Sequence, residues 1–238
     1  MLAIRRVSKS YGEGATLVHA LIEADLAVRP GELVAVMGPS GSGKSTLLTI
    51  AGTLEEPTSG SVLIAGRDVS ELSRNDRARL RRRSIGYVFQ AFNLLAGLTA
   101  VENVALPLEL DGTRSGVAQR AARVALDQLG LGDRAKHYPD QLSGGESQRV
   151  AIARAIVGDR RLLLADEPTG ALDSTNGESV MRMLRAACKE GVAGVVVTHD
   201  AQLASWADRV VFMRDGRFID QTPPRPGAES LLEPSPRP

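Results

Sequence analysis

The stretch Gly38-Pro39-Ser40-Gly41-Ser42-Gly43-Lys44-Ser45-Thr46 constrains this chain more than any other. It fits G-x-x-x-x-G-K-[ST], the loop that cradles the phosphates of a nucleoside triphosphate. Glu32-Leu-Val-Ala-Val-Met37 reads as a buried strand before it, and Leu47-Leu-Thr-Ile-Ala51 opens a helix after it. Strand, glycine loop and helix in that order are the context the pattern requires. Glycines let the backbone curl so that several N–H groups point inward, forming an anion nest at a helix N-terminus. Lys44 is placed to reach the β- and γ-phosphates, and the Ser45 hydroxyl to hold Mg²⁺. Lysine is otherwise scarce, occurring only at positions 9, 44, 136 and 189.

Two further segments carry chemistry. Arg161-Leu-Leu-Leu-Ala-Asp166-Glu167 sets adjacent carboxylates at the end of an apolar strand, where parallel sheets present ligand groups. Asp166 suits assistance to Mg²⁺, directly or through water, and Glu167 suits orienting and deprotonating an attacking water. Gln141-Leu-Ser143-Gly144-Gly145-Glu146 opens another helix, because Ser143 and Glu146 have the spacing of a capping box. That N-terminus is a second anion site, fit for a γ-phosphate. One chain already holds one such site, so a second ATP carried by a second subunit is the economical occupant.

The 238 residues suit one large α/β domain or a core with a subdomain. A net charge of +1 implies no global attraction to nucleic acid or to an acidic membrane. The lone Cys188 excludes an intrachain disulfide framework and fits a reducing compartment. No apolar run has the length of a membrane span, and Met-Leu-Ala-Ile-Arg-Arg lacks the apolar region of a secretion signal. The chain by itself therefore reads as soluble and cytoplasmic.

Alternation over residues 2–7 and 17–28 predicts strands of an antiparallel sheet. Further strands are expected over 61–65, 85–89, 161–165 and 194–198, and Arg214-Asp-Gly216 marks a hairpin. Residues 91–156 change character, with helices expected over 101–110 and 117–129, as a helical insertion. The chain thus divides into 1–90, a first part of the nucleotide-binding core with an antiparallel β-subdomain; 91–156, a helical subdomain; 157–221, the second part of the core; and 222–238, a flexible tail rich in Pro, Gly, Ser and Glu. The basic run Arg77-Ala-Arg-Leu-Arg-Arg-Arg83 reads as a solvated helix face rather than a nucleic-acid patch, because the chain is nearly neutral.

Taken together these segments resemble the nucleotide-binding subunit of an ATP-binding-cassette (ABC) transporter, from about residue 2 to 220. Leu142-Ser-Gly-Gly-Glu146 is similar to that family's signature motif, and Asp166-Glu-Pro-Thr-Gly-Ala-Leu-Asp173 to its Walker B segment and D-loop. Gln90 matches the Q-loop glutamine, His199 the switch histidine, and Tyr11 the aromatic that stacks on adenine. The resemblance implies a P-loop NTPase core with an N-terminal antiparallel β-subdomain and an inserted α-helical subdomain. It implies ATP and Mg²⁺, with Ser45, Gln90 and Asp166 at the metal, Glu167, His199 and Gln90 in catalysis, and Asp173 facing a second copy. The partners implied are that second copy, sandwiching two ATP, and an integral membrane permease, which places the chain at the cytoplasmic face of a bacterial cell membrane.

One departure is Glu146, where the signature usually has glutamine. Ile85-Gly-Tyr-Val-Phe-Gln-Ala-Phe-Asn-Leu-Leu95 and Leu98-Thr-Ala-Val-Glu-Asn-Val-Ala-Leu-Pro-Leu108 resemble the subgroup serving macrolide-export and lipoprotein-release systems. A cell-division ATPase with a similar permease and a soluble non-transport ABC ATPase are the alternatives at this point.

Overall fold

The computed structural model describes residues 1–170 and 174–221. The expected tail over 222–238 and Asp173 lie outside them. Two sheets organise the chain. The first is antiparallel, in the order β2-β1-β4-β5, built from β1 (Leu2–Tyr11), β2 (Val18–Val28), β4 (Ser59–Ile64) and the short β5 (Arg67–Asp68). The second has the order β10-β9-β3-β8-β7-β6, from β3 (Leu33–Met37), β6 (Ile85–Val88), β7 (Leu162–Asp166), β8 (Ala193–Val197), β9 (Arg209–Arg214) and β10 (Arg217–Gln221). Its pairings are parallel except for the β9–β10 hairpin.

The apolar runs of the central strands follow from burial on both faces. Successive side chains alternate across a sheet. Leu33, Ala35 and Met37 therefore join one core, and Val34 and Val36 the other. Along β7, Leu163 and Ala165 go to the first core and Leu162 and Leu164 to the second. The second core lies between the central sheet, helix α1 (Lys44–Ala51) and the antiparallel sheet, whose Leu2, Ile4, Leu21 and Ile64 are fully buried there.

The first core is shared with the helices between β6 and β7. These are α3 (Ala100–Leu110), α4 (Ser115–Gln128) and α5 (Gly144–Ile156). Ala118, Ala122, Ala125 and Leu126 form the buried stripe of α4, at the spacing of one helical face. Helix α6 (Ser174–Lys189) covers the same side of the sheet with Val180, Met181 and Leu184. The basic run lies on α2 (Arg74–Ser84), which buries none of its residues; Ser73 caps it, and Arg83 pairs with Asp111 at 2.7 Å.

The bounds of β1 and α4 are among those that differ from expectation. β1 continues to Tyr11 rather than ending near residue 7, because register shifts after Ile4, Val7 and Lys9 break the alternation that marks a strand. Arg6 and Glu23 take positive φ in those irregular stretches. α4 begins at Ser115, ahead of its first apolar residue.

Edge strand β6 meets α5 through a gap that only a glycine fits. A Cβ at Gly86 would stand 1.9 Å from the Ala155 carbonyl oxygen. Gly86→Ala is expected to cost about 2–3 kcal/mol by forcing strand and helix apart. Urea denaturation checks this; an unchanged midpoint would mean that the two elements separate freely.

Candidate nucleotide site

The loop after β3 passes between the two sheets. Gly38 has φ +154°, and a Cβ there would lie 2.1 Å from the Met213 carbonyl oxygen of β9. Gly43, at φ +99°, would place a Cβ 2.2 Å from the Ala20 carbonyl oxygen of β2. Both positions thus demand glycine for conformation and for space. Gly43 is also the N-cap of α1 and supplies no side-chain hydrogen bond. The first N–H groups of that helix therefore await an outside acceptor. Lys44 is buried, and its Nζ donates to the carbonyls of Gly38 and Pro39, each at 2.8 Å. The ammonium is thereby held within the loop's own curve.

The ends of β7 and β8 supply the other wall. Asp166 closes β7, and burial pushes its carboxyl above the usual range, opposed by the Ser45 hydroxyl nearby. Glu167 follows with φ +43°, a conformation costly for a residue with a Cβ. Its N–H donates to the Val197 carbonyl at 3.0 Å, which ties that turn to β8. His199, just beyond β8, sets Nδ1 3.0 Å from each Glu167 carboxylate oxygen. That contact raises the imidazole pKa.

These groups share one cleft of 550 Å³. It brings together Gly38, Ser40, Gly41, Gly43, Lys44, Ser45 and Thr46 of the loop with Gln90, Asp166, Glu167 and His199. Pro39 contributes through its carbonyl, and the Ser42 side chain is buried beneath. Val18, His19 and Ala20 of β2 also line the cleft. They carry no motif; the strand pairing brings them there. The donor set fits Mg²⁺. Ser45, Gln90 and Asp166 offer oxygens in the same cleft, and this ion takes few protein oxygens alongside phosphate and water.

Tyr11 stands at the end of β1, 40% exposed. Its hydroxyl donates to Glu55 at 2.7 Å. Lys9 pairs with the same Glu55 at 3.0 Å and lies 5.1 Å from the Tyr11 ring centroid. Glu55 has no motif of its own, so sequence reasoning missed it. Its role comes from the turn after α1.

Ser143, Gly144 and Gly145 lie apart from this cleft. Ser143 is the exposed N-cap of α5. The capping box is complete: the Glu146 N–H donates to Ser143 Oγ at 3.2 Å, and the Ser143 N–H donates to Glu146 Oε2 at 2.8 Å. Arg134 pairs with the other carboxylate oxygen at 2.7 Å. These bonds, the one from the Ser143 backbone foremost, hold the Glu146 pKa down at about 2.

The protein-family model described as ABC transporter matches residues 21–170, which include the glycine loop, Gln90, the Ser143 cap and both carboxylates. The chain belongs to the ABC transporter family. An uncharacterised ABC transporter ATP-binding protein of Methanocaldococcus jannaschii is 44% identical over 92% of this chain and 98% of its own length. The lipoprotein-releasing system ATP-binding protein LolD of Shewanella oneidensis is 48% identical over 91% and 94%. The macrolide export ATP-binding/permease protein MacB of Aggregatibacter actinomycetemcomitans is 43% identical over 99% of this chain, which spans only 36% of that protein. A dimeric structure of the ATP-binding cassette MJ0796, in a post-hydrolysis state with ADP and Pi, is 41% identical. It superposes with a TM-score of 0.87 over 93% of this chain and 98% of its own. The chain accordingly has the ABC cassette fold and is an ABC ATPase.

The cassette's Glu167–His199 pair makes a pH prediction. The contact raises the imidazole pKa, so His199 stays protonated above the pH at which a free imidazole loses its proton. NMR titration of the nucleotide-free protein should give His199 a midpoint above the ordinary ~6.5, and Glu167→Gln should bring it down. Equal midpoints in the two proteins would show that no such pair exists in solution.

Proposed function

We propose that two copies of this chain close around two ATP and that closure drives a membrane permease of the macrolide-export or lipoprotein-release type. The observation that carries this reading is a partition. One copy gathers the phosphate loop, Gln90, Asp166, Glu167 and His199 in a single cleft, while Ser143 and Gly144 stand exposed outside it. A γ-phosphate in that cleft has helix α1 on one side; the α5 N-terminus of a facing copy supplies the missing donors. The dimeric neighbour and the names of the relatives support the arrangement.

Within each cleft the loop N–H groups and Lys44 bind the β- and γ-phosphates. Ser45 and Asp166, with Gln90, would hold Mg²⁺, which when bound offsets the phosphate charge. Glu167 takes a proton from the water that attacks the γ-phosphorus, and the bond to the β-phosphate oxygen breaks as ADP leaves. His199, which pairs with Glu167 in this structure, turns its imidazole N–H to the γ-phosphate when nucleotide is present. Tyr11 offers its exposed ring to adenine. Asp173 is assigned the role of ordering the facing copy. In this reading the segment 91–156 moves as a lever between two parts of the core, 1–90 and 157–221. The permease sits against the Gln90 region at the cytoplasmic face of the membrane. Among the described residues no helix is long and apolar enough to cross a membrane itself.

Glu167→Gln should bind ATP, lose turnover by roughly 10²-fold or more, and accumulate a closed dimer in size-exclusion chromatography. A variant that stayed monomeric with ATP beside an active wild type would overturn the sandwich. Ser143→Arg should abolish hydrolysis while a fluorescent ATP analogue still binds the monomer at wild-type affinity, since Ser143 acts on the other copy's nucleotide. Loss of monomer binding would instead place Ser143 at its own chain's ATP.

A further inference from the structure

The capping box of α5 needs an acceptor at Glu146, which a neutral glutamine would supply equally well. Here the acceptor is a carboxylate, with Oε2 accepting from the Ser143 N–H at 2.8 Å. A full negative charge therefore sits within hydrogen-bond distance of the residue assigned to the facing copy's γ-phosphate. Two anions at one helix N-terminus compete for the same donors and repel each other. The second oxygen of the carboxylate, Oε1, accepts from Arg134 Nε at 2.7 Å. Arg134 comes from the single turn Gly132–Arg134 that follows α4. The pair is half-open to solvent, with side-chain exposures of 47% for Arg134 and 19% for Glu146. Asp133, next in sequence, also acts on the Arg134 guanidinium, after Glu146.

We infer that Arg134 is a positioning residue of the composite ATP site: it neutralises and orients Glu146, so that the α5 N-terminus can receive the γ-phosphate held by a second copy. The inference rests on the dimer reading above. Removing Arg134 leaves the helix cap intact but exposes its charge to the incoming phosphate. The effect falls on closure in trans and leaves binding of ATP to one copy unchanged. It also weakens as salt screens the repulsion, since exposed charges lose most of their interaction beyond a Debye length of about 10 Å at 0.1 M ionic strength.

The test uses the full chain in the Glu167→Gln background, with ATP-driven dimerisation followed by analytical ultracentrifugation. Arg134→Met, which keeps an apolar stem in place of the guanidinium, is expected to weaken dimerisation by about three- to tenfold at low salt, and by less at about 0.5 M salt. ATP affinity of the monomer should not change. Adding Glu146→Gln to Arg134→Met should restore dimerisation to within about twofold, because the neutral amide no longer needs a counter-charge. Glu146→Gln alone, which leaves Arg134 untouched, should dimerise at least as tightly as the parent. An equal defect of Arg134→Met in both backgrounds, or no defect at any salt, overturns the inference while leaving the dimer reading intact. A Glu167→Gln parent that does not dimerise with ATP overturns both.

Discussion

Everything in the site depends on two places where the phosphate loop has no side chain. Gly38 passes against the Met213 carbonyl of the central sheet, and Gly43 against the Ala20 carbonyl of the antiparallel sheet. The loop is therefore a seam between the sheets as well as a binding element. Backbone bonds close the seam further. The Gly216 N–H donates to the Ser42 carbonyl at 3.1 Å, and the Ile22 N–H donates to the Gly216 carbonyl at 2.8 Å. The β9–β10 turn thus fastens the loop on one side and β2 on the other. Any side chain at Gly38 or Gly43 pushes on a carbonyl that belongs to a different sheet, so the damage reaches the scaffold before it reaches the ligand.

The same economy governs the carboxylates. β7 is buried through Ala165, and polarity begins at Asp166, where the strand leaves the sheet. Asp166 pays for its position with a raised pKa, and the Ser45 hydroxyl nearby counters that cost. Glu167 takes a left-handed conformation, which turns its side chain from the strand's line toward His199. The strained residue and the ionisable one are the same, and the Val197 carbonyl holds the strain in place. In this structure the carboxylate is engaged by His199. In the proposed mechanism nucleotide draws the histidine away before the carboxylate takes a proton from water.

Features set by short-range pattern were legible in the sequence. The strand–loop–helix around Lys44, the buried runs of β7 and β8, and the Ser143–Glu146 cap depend on residues within one or two turns of each other. Both bonds of that cap form as the spacing implies. What the sequence did not disclose depends on distant pairing. β3 lies between β8 and β9, whose partners Val195 and Val210 come from far down the chain. His19 reaches the cleft wall because β1 and β2 pair across register shifts, which also hid the end of β1. Glu55 meets Tyr11 only once α1 has turned the chain back toward β1.

The separation of Ser143 from the cleft also depends on tertiary placement, and it gives the architecture its logic. Helix α5 begins with glycines at its first two positions, whose N–H groups have no intrahelical partner. Ser143 and Glu146 satisfy each other and leave those glycine donors facing outward. A helix end equipped this way costs little in the isolated chain, because solvent hydrates the exposed donors. In the proposed dimer the donors exchange water for a γ-phosphate, so they stabilise the closed state only while that phosphate is present. Hydrolysis cuts free the anion that both copies share, and once that phosphate leaves the helix end reverts to binding water. The coupling between chemistry and motion then needs no separate switch: it follows from dividing one phosphate's donors between two chains.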